Sequence, residues 1–480
     1  MNIFYYDIAV PIPIRETFTY KSNEIINNGT RVAIKFRNKE VVGYVVKKLN
    51  QKPSFSTTEI SEVLDSEPIF KSSDLQIIAW LADYYHHPIG EVFDSFCPPS
   101  LRKAIKNEPL IIDNEISYKA NIEDQSFELN AEQLSCINKL ESLDGFDPCL
   151  LYGVTGSGKT EIYLQIAATY LAQNKSILIL VPEISLTPQL KERFINRFGE
   201  NIGIYHSKQT PKQRYEVWKS ARNGELKIVI GTRSAVLFPL QNLGLIIVDE
   251  EHDQSYKQHE GFRFSARDVS IKRAQVEKLP IILGSATPSL QTLKSVQDKK
   301  FKQIDILKRA NGSQPPGFII LDINDSKLES GIAQESLDAI ENTLKRNKQV
   351  LIFINRRGFS PLYECNDCRW AAECKACDAR LVFHHDLDRL VCHRCDSAYG
   401  VPKKCPECNC SNLSLQGSGT ERIEIFLEEY FSNTLIIRLD HDTTKKKGSL
   451  DEIIKKVHRS DSAILVGTQM LAKGHDFPKV

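Results

Sequence analysis

The stretch "GVTGSGKT", Gly153 to Thr160, restricts the possible folds of this chain more than any other feature. It fits G-x-x-x-x-G-K-[ST], and it follows the apolar run "CLLYGV" and opens a helical stretch. In that setting the glycines let backbone N–H groups close around phosphates at a helix N-terminus. Gly153, Val154, Thr155, Gly156, Ser157 and Gly158 then form the cradle. Lys159 reaches the β- and γ-phosphates and the Thr160 hydroxyl binds Mg²⁺, so ATP and Mg²⁺ are the expected ligands. Such a loop needs acids across the sheet, and "LGLIIVDEEHD" supplies them at a strand end. Asp249 is expected to hold Mg²⁺ through water, and Glu250 to act as the base toward the attacking water. "GSATPS", Gly284 to Ser289, ends the next strand and is expected to couple nucleotide state to the second lobe.

Around these motifs short apolar runs alternate with helical stretches. "CLLYGV", "SILILVP", "LKIVIGT", "LGLIIVDE" and "PIILGSAT" read as parallel strands buried on both faces, hence a doubly wound sheet. "VLIFINRR", "TLIIRLD" and "AILVGTQ" indicate a second α/β unit. Ahead of both, "TRVAIKF" and "EVVGYVV" flank "RNKE" as a hairpin, and "DLQIIAWLADYYHH" has helical spacing. The expected fold class is α/β. It comprises a P-loop NTPase unit and a second α/β unit, with a two-zinc tetracysteine insertion and a small β-rich N-terminal unit. The expected boundaries are 1–100 for the N-terminal unit, 101–128 for a linker, 129–305 for lobe one and 330–480 for lobe two, with the insertion at 362–412.

At 480 residues the chain has room for about three domains. A formal net charge of +1 gives no global field for nucleic acid, so DNA contact must come from local patches. No apolar run suits a membrane span, and "MNIFYYDIAVPIPIRETF" lacks the pattern of a signal peptide. With paired cysteines, this points to a reducing cytoplasm.

Four Cys-x-x-Cys pairs fall at Cys365/Cys368, Cys374/Cys377, Cys392/Cys395 and Cys405/Cys408. Each supplies half of a tetrahedral four-thiolate zinc site, giving two Zn²⁺, and spacing alone leaves three ways to match the halves. Cys410 is read as spare, with a misplaced fifth ligand as the alternative; Cys97, Cys136 and Cys149 are read as buried apolar thiols. Zinc would supply folding energy that a small loop-rich insertion cannot draw from its own core.

The combination is recognisable. "GVTGSGKTEIY", "LVPEISLTPQ", "IGTRSAVLFPL", "VDEEHDQSYKQHEGFRFSARD", "LGSATPS", "FINRRGFSP" and "ILVGTQMLAKGHDFP", with the cysteine block, resemble the replication-restart helicase family (PriA, primosomal protein N′). The resemblance implies two RecA-like P-loop NTPase lobes, the second incomplete, and a small β-rich N-terminal DNA-binding domain, in a superfamily 2 helicase that moves 3′ to 5′ on DNA, recognises stalled forks and D-loops, and promotes reloading of the replicative helicase. It implies forked and single-stranded DNA, other primosome proteins and the single-stranded-DNA-binding protein as partners. It also nests the zinc ligands: Cys365, Cys368, Cys405 and Cys408 share one ion, and Cys374, Cys377, Cys392 and Cys395 the other. Thr187 and Gln189, with Arg233 and Ser234, match stretches that touch the strand backbone in helicases, and Gln133 stands where such enzymes read adenine. Tyr256, Phe262 and Phe264, interleaved with Arg263 and Arg267, suit base stacking and phosphate contact, with aromatics packed into the core as the alternative.

Three departures from the family are visible. Thr19 replaces an acid and Arg37 a glycine in the unit that captures a nascent 3′ end. Residues 101–129 are too few for a winged helix. The chain stops at Val480, before the family's arginine-bearing last motif, which favours a non-catalytic fork-binding or primosome scaffold as the alternative to the helicase reading.

Overall fold

The computed structural model describes residues 2–104, 129–182, 188–199, 202–207, 209–314, 316–323, 328–354, 362–377, 379–384, 388–392, 394–416, 420–439, 449–467, 477 and 479–480. It divides into two units, residues 1–315 and 316–480.

The first unit opens with a six-stranded sheet. β1 (Phe4–Ala9), β2 (Phe18–Ser22), β3 (Arg31–Phe36) and β4 (Lys39–Leu49) are joined at the edges by β5 (Thr58–Glu59) and β6 (Glu62–Val63), in the order β5-β2-β1-β4-β3-β6. Phe36 pairs with Lys39, so the expected "RNKE" turn tightens to Arg37 and Asn38, both left-handed at φ 47° and 63°. Two positive φ values suit a two-residue hairpin whose twist matches its strands. The fully buried Arg31 guanidinium is held by Asp65 at 2.7 Å and donates to the Leu101 carbonyl at 2.7 Å. Helices α1 (Ser72–Tyr84) and α2 (Ile89–Phe96) follow. Their apolar faces join one continuous core with the next sheet, through Ile77, Ile78, Leu81, Phe93 and Phe96 against Trp218, Leu240 and Val269.

That next sheet has seven parallel strands. The elements run α3 (Ala131–Glu141), β7 (Pro148–Gly153), α4 (Lys159–Ala172), β8 (Ser176–Leu180), α5 (Pro188–Phe198), β9 (Ile202–Tyr205) and α6 (Pro211–Arg222). They continue β10 (Ile228–Gly231), β11 (Leu243–Val248), α7 (Ala266–Glu277), β12 (Ile281–Ser285), α8 (Leu290–Gln297) and β13 (Lys302–Ile306). The order β13-β7-β12-β11-β8-β10-β9 puts both edges on strands that the apolar-run pattern does not find. β9 is interrupted by Gly203, and β13 ("KQIDI") alternates polar with buried residues as an edge strand does. Because the sheet is parallel, the ends of β7, β12 and β11 lie side by side on one rim, where ligands of such sheets bind.

In the second unit a short hairpin, β14 (Leu328–Glu329) and β15 (Ile332–Ala333), leads into α9 (Gln334–Leu344) and β16 (Gln349–Phe353). The cysteine block contributes β17 (Leu362–Cys365), β18 (Val382–His384), β19 (Arg389–Val391), β20 (Ala398–Gly400) and β21 (Leu413–Gln416). β17 pairs with β21, and β18-β19-β20 form a separate sheet. The α/β fold then resumes with α10 (Thr420–Tyr430), β22 (Ile436–Leu439), α11 (Ser449–Arg459) and β23 (Ala463–Gly467), giving a parallel sheet β16-β23-β22. The expected linker beyond residue 104 lies outside the described residues. Among the described residues no helix is long and apolar enough to cross a membrane.

Candidate nucleotide and zinc sites

The phosphate loop leaves β7 and closes on the N-terminus of α4, whose cap is Gly158 at φ 84°. The left-handed backbone there disfavours any side chain, and a Cβ would stand 2.4 Å from the Gln133 amide nitrogen and displace it. Gln133 caps α3 together with Asn130 and donates from Nε2 to the Ser157 carbonyl at 3.0 Å. The residue expected to read adenine therefore also fixes the shape of the loop. Lys159 Nζ donates to the Gly153 carbonyl at 2.9 Å, folded onto the loop it is expected to complete. The Ser157 hydroxyl is buried without a hydrogen-bond partner among the described residues. The left-handed glycines, the helix N-terminus and that spare hydroxyl fit a bound phosphate chain.

Asp249 follows β11. It accepts a 2.9 Å hydrogen bond from the Tyr163 hydroxyl, delivered from α4. Gly284 makes this contact possible, because a Cβ there would stand 1.8 Å from that hydroxyl. Burial, and then the neighbouring Glu250 charge, push the Asp249 carboxyl up to about 6, while Tyr163 and Lys159 pull the other way. Such a carboxyl gains from a divalent cation, which fits the Mg²⁺ expected between it and Thr160. Glu250 is left-handed at φ 46°, a conformation unusual for glutamate and found at functional turns.

The next two residues carry a link that sequence reasoning missed. Glu251 is buried and accepts from the Ser289 amide at 2.6 Å, the Ser289 hydroxyl at 3.0 Å and the Thr292 hydroxyl at 2.9 Å. His252 Nδ1 lies 2.8 Å from Ser285 Oγ, and its Nε2 lies 3.3 Å from Thr287 Oγ1. "DEEH" and "GSATPS" are therefore bonded residue to residue. The signal available in sequence was only the hydroxyl content of the second motif.

The residues expected to contact DNA lie in different surroundings. Tyr256, Phe262 and Phe264 are 2%, 9% and 6% exposed, so in this structure the rings take the core-packed alternative. Tyr256 donates to the Asp249 carbonyl at 2.5 Å. Phe262 stacks on Phe264 and packs against Tyr85 and His87, which follow α1. Large aromatic area is better buried than wetted, and the N-terminal helices supply the cover. Arg267 is also turned inward, donating to Asp268 at 2.9 Å, Ser289 at 2.8 Å and Glu251 at 3.3 Å. Arg233 donates to the Ser255 and Lys257 carbonyls, both at 3.4 Å, and Ser234 follows it in a 3₁₀ turn. Arg263 alone of the loop's candidates is exposed. Thr187 and the side chain of Gln189 lie outside the described residues.

In the second unit the cysteines gather as two sets, Cys365, Cys368, Cys405 and Cys408, and Cys374, Cys377, Cys392 and Cys395. Within each set the sulfurs lie within 4.8 Å of one another. Of the three possible matchings the nested one forms, and all-thiolate donors in fours fit tetrahedral zinc.

A glycine-rich loop at a helix N-terminus, a buried acid and a bonded hydroxyl motif share one rim of this sheet, and residues 130–296 match the DEAD/DEAH box helicase family. Residues 7–98 match the 3′ DNA-binding domain (3′BD) of PriA, and residues 374–398 the Cys-rich region (CRR) domain of the PriA DNA helicase. The chain is 34% identical to the replication restart protein PriA of Haemophilus influenzae, over all of this chain and 76% of that one. It is 34% identical to that of Rickettsia felis, over 95% of this chain and 69% of the other. Against the Chlamydia trachomatis protein it is 42% identical, over 73% of this chain and 48% of the relative. The chain belongs to the replication restart protein PriA family. The zinc expectation thus accords with a family match and with the sulfur geometry, and the N-terminal DNA-binding domain with a family match.

Proposed function

We propose that this chain is an ATP-driven 3′–5′ DNA helicase of the replication-restart primosome, acting at stalled forks and D-loops to promote reloading of the replicative helicase. In this reading Gly153–Thr160 bind the nucleotide phosphates, with Gln133 at the adenine side. Thr160 and Asp249 hold Mg²⁺, Glu250 accepts the proton of the attacking water, and Lys159 steadies the charge that develops. The observation that carries it is the Glu251 carboxylate, bonded to Ser289 and Thr292, because it ties the hydrolytic acids to a motif at the end of the adjacent strand. A change at the nucleotide can then reach β12 without passing through solvent. In this reading Arg263, exposed beside the buried aromatic pair, meets a DNA phosphate, and its exposure supports that role. Other primosome proteins and the single-stranded-DNA-binding protein belong to the same reading as partners.

Strand displacement on partial duplexes tests polarity. Displacement from a 3′-tailed substrate but not a 5′-tailed one is expected, lost in Lys159→Ala and in Glu250→Gln. Equal displacement from both tails would contradict the 3′–5′ assignment. ATP-dependent movement without displacement would make the chain a duplex translocase.

A further inference from the structure

The four zinc knuckles share one construction. The backbone N–H of the first cysteine donates to the carbonyl five residues on: Cys365 to Trp370 at 2.7 Å, Cys374 to Ala379 at 2.7 Å, Cys392 to Ser397 at 2.9 Å and Cys405 to Cys410 at 2.8 Å. In three of them the residue after the second cysteine is left-handed, Arg369 at φ 63°, Asp396 at 59° and Asn409 at 57°. The fifth residue on therefore closes the turn. In the third knuckle that residue is Ser397, whose hydroxyl lies 3.2 Å from the Cys395 sulfur.

In the fourth knuckle the same position is a cysteine. Cys410 Sγ lies 3.3 Å from Cys408 Sγ and 3.2 Å from Cys365 Sγ. The outer-site ligands stand at similar separations, 3.5 Å for Cys365–Cys408 and 3.6 Å for Cys368–Cys405. Tetrahedral zinc with Zn–S of ~2.3 Å places its sulfurs roughly 3.8 Å apart, so Cys410 stands as near to Cys365 and Cys408 as a ligand would, beside a metal that takes four. The inner site has no surplus: Cys97, Cys136 and Cys149 are buried in the cores of the other unit.

We propose that Cys410 is a reserve zinc ligand of the outer site, able to replace Cys408 so that the metal keeps four thiolates. Cys408 is the exposed member of its knuckle, and Cys410 is two residues away on the same surface turn. Cys365 and Cys405 are buried and anchored, their sulfurs accepting N–H bonds from Cys368 at 3.4 Å and Cys408 at 3.5 Å. In the exchange Cys410 releases its thiol proton to solvent and forms the Zn–S bond. The departing Cys408 thiolate takes up a proton, so the charge of the site is unchanged and no oxidant is needed. The outer site thereby survives chemical loss of Cys408, one of its two exposed ligands, and the inner site has no such substitute.

The test uses the full chain as Cys408→Ser, Cys410→Ser, the double variant, and Cys395→Ser as the inner-site counterpart. Cobalt(II) substitution reads the number of thiolates at each metal from the charge-transfer and d–d bands, and a chromophoric chelator reads how readily zinc leaves. Cys408→Ser and Cys410→Ser are each expected to keep two tetrathiolate metals. The double variant and Cys395→Ser are expected to lose one thiolate and to release that zinc on the order of tenfold or more readily. Cys408→Ser behaving like the double variant would overturn the proposal and leave Cys410 a hydrogen-bond donor. Zinc loss from Cys410→Ser alone would overturn it by making Cys410 obligatory. A wild-type chain holding no outer metal would overturn both this proposal and the zinc reading on which it rests. If Cys408→Ser does not fold, alkylation of Cys408 in the wild-type chain replaces it. Zinc retained after mass-mapped modification supports the exchange, and stoichiometric release with that modification overturns it.

Discussion

Replacing Asp249 with asparagine should abolish hydrolysis and at the same time stabilise the fold. Burial and Glu250 raise the Asp249 carboxyl to about 6, against an ordinary value of 3.8. For an acid with a raised folded-state pKa, the unfolded chain loses its proton first as pH rises. Stability contributed by the protonated form is therefore present below about pH 4 and is lost progressively up to about 6. Roughly two pH units at ~1.36 kcal/mol each make the ionised carboxylate cost about 3 kcal/mol at pH 7.5. Asp249 retains some solvent exposure, so this is an upper figure. Asparagine matches the neutral carboxyl in shape, and its oxygen still accepts from Tyr163. Urea unfolding without added nucleotide or magnesium should show Asp249→Asn up to ~3 kcal/mol more stable at pH 7.5, and about half that at pH 5. Mg²⁺ with ATP should stabilise the wild type and not the variant. A variant equal to or less stable than wild type at pH 7.5, or a gap that does not narrow toward pH 5, would refute the reasoning.

Two further outcomes follow from the same geometry. Tyr163→Phe removes a hydrogen bond that holds the Asp249 proton off, so the acid limb of the pH–hydrolysis profile should move to higher pH, measured at fixed free Mg²⁺. Asp65→Ala leaves the fully buried Arg31 guanidinium without its counter-charge and should cost ~3–5 kcal/mol of stability in chemical denaturation, with nucleotide affinity unchanged.

What was legible in the sequence was local. Gly153–Thr160 and Asp249 with Glu250 are motifs whose chemistry fixes their spacing, and the structure brings them to the ends of β7 and β11 on one rim, with β12 between. The eight cysteines were legible as four knuckles, while their nesting came from family resemblance and is matched by the sulfur positions. What escaped was long-range. Tyr163 looks like one more core aromatic of α4 until β11 is placed beside it. Glu251 reads as a third acid in a run, and only packing shows it buried under Ser289 and Thr292. Sequence left the aromatic loop between stacking and core packing because its cover, Tyr85 and His87, lies some 180 residues earlier, as the Ser265 to Tyr85 hydrogen bond spans. β9 and β13 escaped because edge strands lack the continuous apolar run of strands buried on both faces.

The most direct test of the motor assignment is ATP hydrolysis by this chain with and without forked DNA. Turnover that forked DNA stimulates and that Lys159→Ala and Glu250→Gln abolish is the expected result. Hydrolysis that ignores DNA, or that persists in Glu250→Gln, would contradict it.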